Sequence, residues 1–150
     1  MTLRRTAKGY AIGDGPADLR AELVHYADHG PGSYLPTQFA EAVCGACGGR
    51  EFLLLLDDNA GVAVRVCGGC GGEHAIGDSG DFLDEAELEE VECLCGVPLF
   101  EITVGVSRYG DSDAVRWLYV GCRCPACGVL GCYGDWKNEY DDFRALLARV

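Results

Sequence analysis

Long apolar runs are missing from this 150-residue chain. The longest is FLLLL, Phe52 to Leu56, far short of the roughly 20 residues that cross a bilayer as a helix. The opening MTLRRTAKGY carries positive charge with no apolar stretch of secretory length behind it, so no export signal is read there and a cytoplasmic location is expected. Basic residues are scarce. Twelve Lys and Arg stand against 24 Asp and Glu, giving a formal charge of −12. None of the twelve lies between Val66 and Ser107, and Arg4, Arg5 and Lys8 form the one basic cluster. Proteins hold phosphate backbones by neutralising them with Lys and Arg, so neither nucleic acid nor a membrane surface is an expected partner.

A catalytic constellation is also lacking. No Ser/His/Asp grouping and no phosphate-cradling glycine loop is found. The chain has three histidines. His25 and His29 stand four apart on an expected helix, a spacing that can bind metal, but without the glutamate of HExxH between them. They read as surface residues. His74 reads as a solvated loop residue, with a hydrogen bond to a nearby sulfur as the alternative. No enzyme activity is expected.

What the chain does have is ten cysteines and 22 glycines. The glycines call for many tight turns and few long elements. In a reducing compartment the cysteines are metal ligands or reactive thiols rather than disulfides. Their spacing points to metal. VCGACGG, Val43 to Gly49, is echoed by VCGGCGG, Val66 to Gly72. Between them, REFLLLLDDNAGVAVRV places the turn formers Asp57, Asp58, Asn59 and Gly61 between two β-favouring runs. A hairpin there brings Cys44 and Cys47 beside Cys67 and Cys70. Nineteen residues separate Cys47 from Cys67, within the spacing at which paired CxxC motifs read as a zinc site. Zinc takes four ligands in a tetrahedron, and these four supply it.

A second set repeats the plan. CLCG opens it and CPACG closes it, around strands expected in VPLFEITVGVS and AVRWLYVGC. Cys93, Cys95, Cys124 and Cys127 are the expected ligands. The competing arrangement puts Cys122 in place of Cys124 or Cys95. Cys122 and Cys132 are otherwise read as buried thiols that bind nothing. Two zinc ions are therefore expected. Eight thiolates and two divalent ions lower the formal charge from −12 to −16. Iron is the alternative metal, because it accepts the same ligand set.

The motifs CGACG, CGGCG, CLCG and CPACG resemble those of the zinc-ribbon superfamily in its rubredoxin-knuckle form. The resemblance covers residues 44–70 and 93–127, and CLCG departs from the usual CxxCG. It implies a structural Cys₄ zinc site in each β-hairpin. It says little about function, since ribbons serve many roles.

Around the ribbons, GDGPADLRAELVHYADHG reads as a helix begun at Pro16 and stopped at Gly30, with Leu19, Leu23 and Tyr26 on one stripe. The stretch DFLDEAELEEVE holds seven carboxylates and reads as a solvated linker or as a docking surface for a basic partner. VLGCYGDW is a possible further strand. NEYDDFRALLARV reads as a last helix, with Tyr140, Phe143, Leu147 and Val150 on one side. The expected fold is α+β: two tandem zinc ribbons with flanking helices. Its segments are an N-terminal strand and helix (1–38), a first ribbon (39–77), an acidic linker (78–92), a second ribbon (93–134) and a C-terminal helix (135–150). Trp117, Tyr119, Tyr133 and Trp136 are either core rings or partner anchors. The expected function is a non-catalytic protein–protein interaction module with an acidic and aromatic surface. A thiol redox switch or a rubredoxin-like iron electron carrier is the alternative.

Overall fold

The computed structural model describes residues 3–29 and 34–150. The hairpins form where turn chemistry places them. β4 (Phe52–Asp57) and β5 (Val62–Cys67) pair in register from Phe52↔Cys67 to Asp57↔Val62. The Asp57 carboxylate closes their turn by accepting hydrogen bonds from the backbone N–H of Asn59 and Ala60. β8 (Leu99–Arg108) and β9 (Val115–Arg123) form the second hairpin, and β10 (Val129–Lys137) adds to β9 as the further strand.

The rest of the architecture corrects the α+β expectation. Among the described residues all ten strands belong to one antiparallel sheet, and helix is confined to α1 (Pro16–Asp28), α2 (Phe143–Leu147) and two 3₁₀ turns at Ser79–Asp81 and Leu83–Glu85. The molecule is a mainly-β sheet protein rather than two ribbons flanked by helices. Two causes are visible. At the C-terminal end, residues 135–137 continue β10. Residues 138–142 are then locked in a turn. Asn138 Oδ1 accepts from the Asp141 N–H, Tyr140 sits at φ 66°, and Asp142 bridges to Ala114. Helix begins only once the Asp142 side chain caps the N–H groups of Arg144 and Ala145.

The second cause lies between the ribbons. β4 and β8 pair with each other at Phe52↔Phe100 and Leu53↔Leu99. Beyond those pairs each takes a short strand from the other repeat. β3 (Gln38–Glu41) pairs with β8, and β7 (Glu89–Glu90) pairs with β4. The acidic stretch thus supplies a strand. The exchange is reciprocal. Ala42 N–H donates to Ile102 O at 2.9 Å, and Val91 N–H donates to Leu54 O at 2.9 Å. Both repeats run short strand, cysteine turn, strand, strand, cysteine turn, strand, with β6 (Glu73–Ala75) ending the first as β10 ends the second. The cross-repeat pairings are reciprocal about the Phe52↔Phe100 pair, β3 on β8 answering β7 on β4.

Both faces of β9 are covered, so its sequence does not alternate. Leu118, Val120 and Cys122 face the main core with Phe52, Phe100, Val104 and Leu54, all at most 2% exposed. On the other face Tyr119 packs with Leu23 and Ala27 of α1. Gly121 makes that approach possible, because a Cβ there would lie 3.0 Å from Leu23 and 3.1 Å from Leu19. Leu19 and Leu23 form the buried stripe as expected, whereas Tyr26 stays 40% exposed. The expected stop at Gly30 lies outside the described residues. In place of the single N-terminal strand expected, residues 3–12 form two short ones, β1 (Arg4–Arg5) and β2 (Ala11–Ile12), with β2 added to the edge of β10.

Candidate metal centres

Each cysteine turn interrupts a strand track and is closed in the same way. The N–H of Gly48, Gly71 and Gly128 donates to the carbonyl of Cys44, Cys67 and Cys124 at 2.8–2.9 Å. The shorter CLCG turn does the same with one residue fewer, Gly96 N–H to Cys93 O at 2.8 Å. All four glycines have φ between 75° and 90°, a region costly for residues that carry a Cβ. The glycine after each second cysteine is thus a geometric requirement, and one legible in the sequence.

The closed turns gather the sulfurs into two quartets. Cys44, Cys47, Cys67 and Cys70 have their Sγ atoms all within 4.8 Å of one another, and so do Cys93, Cys95, Cys124 and Cys127. Short edges run across each hairpin: Cys44–Cys70 3.6 Å and Cys47–Cys67 3.5 Å, then Cys95–Cys124 3.6 Å and Cys93–Cys127 3.5 Å. A tetrahedron with zinc–sulfur bonds of about 2.3 Å has edges of about 3.8 Å. The spacing matches such a tetrahedron and is far too long for disulfide bonds of about 2.05 Å. None of the ten cysteines forms a disulfide.

Electrostatics within the turns favours anionic sulfur at some positions. Backbone N–H groups of Cys47 and Ala46 bring the Cys44 thiol down to about 6. Those of Cys70 and Gly69 lower Cys67. The Val97 N–H brings Cys95 down to about 7, while burial pushes Cys93 up to about 12. Donors aimed at sulfur orient a thiolate and tune it as a ligand. The donor set, the spacing and the N–H groups fit two metal ions. Neither ion species is distinguished by them, because zinc and iron both accept four thiolates.

The remaining candidates stand apart. Cys122 is fully buried in the main core, and burial raises its thiol. Cys132 is raised by burial and then by Asp135, and it donates to Gly134 O. Neither joins a quartet. His29 Nδ1 meets the His25 carbonyl at 2.8 Å, their rings 4.2 Å apart on the exposed side of α1. His74 reaches the Arg149 carbonyl rather than a sulfur.

Of the four aromatic residues weighed as anchors, Tyr119 and Trp136 are 4% and 8% exposed, and Tyr133 packs edge-on to Phe100. Trp117 alone lines a surface pocket other than the one Trp136 edges. Sequence reading missed the groove of ≈ 670 Å³ formed by the β4–β5 turn and the acidic stretch. Asp57, Asp58, Glu85, Glu87, Glu89 and Glu90 line it. The signal was present as charge, but its two halves are distant in sequence.

The two Cys₄ clusters are consistent with zinc-ribbon-like sites. No family model, curated protein or solved structure matches the chain. No helix among the described residues is long and apolar enough to cross a membrane.

Proposed function

We propose that the protein is a non-catalytic interaction module whose shape is held by two structural zinc ions, one per Cys₄ quartet. The observation that carries this reading is the closure of each quartet: four sulfurs surround one point. A catalytic zinc keeps one position open for water or substrate. The partner is a protein with a basic surface, docked at the acidic groove. Glu85, Glu87, Glu89 and Glu90 are exposed there, in a segment without any Lys or Arg, and complementary charge steers such encounters. Ten cysteines without a disulfide among them suit a reducing compartment, the cytoplasm.

Metal analysis with an absorption spectrum tests the first half. Two zinc per chain and no visible bands are expected; iron bands would favour the electron-transfer reading. Co-purification tests the second. Protein partners held by the wild type in a salt-sensitive manner should be lost from a variant with all four glutamates changed to Gln that still holds two metal ions. Equal capture by the variant, or capture of nucleic acid alone, refutes the docking role.

A further inference from the structure

One corner of this acidic molecule is built the opposite way. Tyr34, Tyr109, Arg116, Trp117 and Lys137 line an open pocket of ≈ 270 Å³. It lies outside both cysteine quartets and shares no lining residue with the acidic groove. Two of the chain's 12 basic residues meet there. Among the described residues neither has an ion pair, and the Arg116 guanidinium makes no hydrogen bond. It stacks instead on rings, 3.8 Å from the Tyr34 centroid and 5.3 Å from that of Tyr109. Stacking engages the face of a guanidinium and leaves its in-plane N–H fork free for an oxyanion.

The backbone is arranged to present that fork. Ser107 pairs with Trp117 while Arg108 pairs with Val115, so Arg116 is the extra residue of a β-bulge in β9. Bulges re-aim a side chain and are enriched beside functional sites. The walls are fixed too. Trp117 Nε1 donates to Asp135 Oδ2 at 2.8 Å, and Asp135 Oδ1 accepts from Tyr26 at 2.9 Å. The Tyr119 hydroxyl donates to the Tyr34 carbonyl at 2.6 Å. The Asp135 carboxylate is thereby occupied on both oxygens. Lys137 pairs across the strands with Trp117 and lies 5.9 Å from the Tyr140 ring.

We infer that this pocket is a binding site for a small planar ligand carrying an oxyanion, a phosphate or a carboxylate. The ring lies against the Tyr and Trp walls, and the anion is received by Arg116 and Lys137. A polyanion is disfavoured. The pocket is slightly smaller than the roughly 300 Å³ at which drug-sized sites begin, and a molecule of charge −12 repels a long phosphate chain.

The test uses the full-length metal-loaded protein. Its two tryptophans give two indole N–H resonances, with Trp136 as the internal control and Trp117→Phe to assign them. Titration with adenosine 5′-monophosphate and with benzoate should shift the Trp117 signal in a saturable way. Either ligand alone doing so identifies the preferred oxyanion. Adenosine, which lacks the anion, and inorganic phosphate, which lacks the ring, should bind roughly tenfold more weakly or worse. Arg116→Met should cost a similar factor. Lys137→Ala, at an exposed position, should weaken binding without touching the fold. The proposal is overturned if neither ligand moves Trp117 at millimolar concentration. It also falls if phosphate alone binds as tightly as the nucleotide, if both variants bind like the wild type, or if a single-stranded oligonucleotide outcompetes the monophosphate.

Discussion

Replacing Phe100 by Ala probes the joint between the two repeats. Phe100 is fully buried, pairs with Phe52 where the two repeats meet, and meets the Tyr133 ring edge-on at 5.2 Å. Removing a buried Phe side chain costs about 3–5 kcal/mol, a large share of the roughly 5–15 kcal/mol that stabilises a domain. At about 2–4 °C per kcal/mol for a chain of this length, the melting temperature should fall by roughly 6–20 °C. The more telling readout is metal. The main core contains Cys44 and Cys67 of one quartet and Cys93 and Cys124 of the other, so both ions should leave in one transition. Thermal unfolding followed by tryptophan fluorescence and by a metal-sensitive dye in the same sample measures this. Phe52→Ala, at the paired and equally buried position, should behave alike. Two separate release steps, with only the second quartet weakened in Phe100→Ala, would refute the single-sheet account of stability. So would a drop of less than about 2 °C.

Cysteine replacements should separate ligands from core. Cys124→Ser lowers tightly held metal from two ions to one, whereas Cys122→Ser keeps two but costs about 1–3 kcal/mol by burying a hydroxyl without a partner; elemental analysis and urea midpoints read these outcomes. Exhaustive chelation should abolish the cooperative thermal transition, because the sulfurs held 3.5–3.6 Å apart across each hairpin lose the ion that ties their two turns together; a sharp transition retained after chelation refutes the structural role. Gly121→Val should lift α1 from β9 and cost about 1–3 kcal/mol by overpacking, with metal content unchanged. Burial, opposed by bonds from Asn138 and Trp136, raises the Asp78 carboxyl above its ordinary value. Its neutral form therefore supports the fold below the unfolded pKa, and that support is lost as pH rises through the folded one. Relative to Asp78→Asn, wild-type denaturation midpoints should fall as pH is raised from about 4 toward neutrality; parallel profiles would refute this.

The parts legible in the sequence are those governed by short-range chemistry. Asp57 to Gly61 marks a turn whichever strand lies beyond it, and a glycine after each second cysteine marks a closed ligand loop. Pro16 starts α1 as expected. The parts that were not legible depend on distant partners. Glu89 and Glu90 read as solvent-facing charge, and nothing local says that their backbone completes the edge of β4. Gln38–Glu41 carries no strand alternation, yet β8 holds it at four registered pairs. The apolar spacing of Tyr140, Phe143 and Leu147 suggested a long helix, but Asn138 and Asp141 bond to each other and hold the preceding turn. The Arg116 pocket escaped notice for a similar reason, since its five side chains come from four separate stretches of chain.

The reciprocal strand exchange has a consequence for cutting the molecule. A protease that severed the chain within Leu83–Glu85, an exposed turn, would leave two pieces, each carrying a whole quartet and each holding a strand the other requires. The pieces should stay together through backbone ladders, and separately made halves should find one another in solution. The protein would then be reassembled from fragments, with the Phe52 and Phe100 rings as the meeting point.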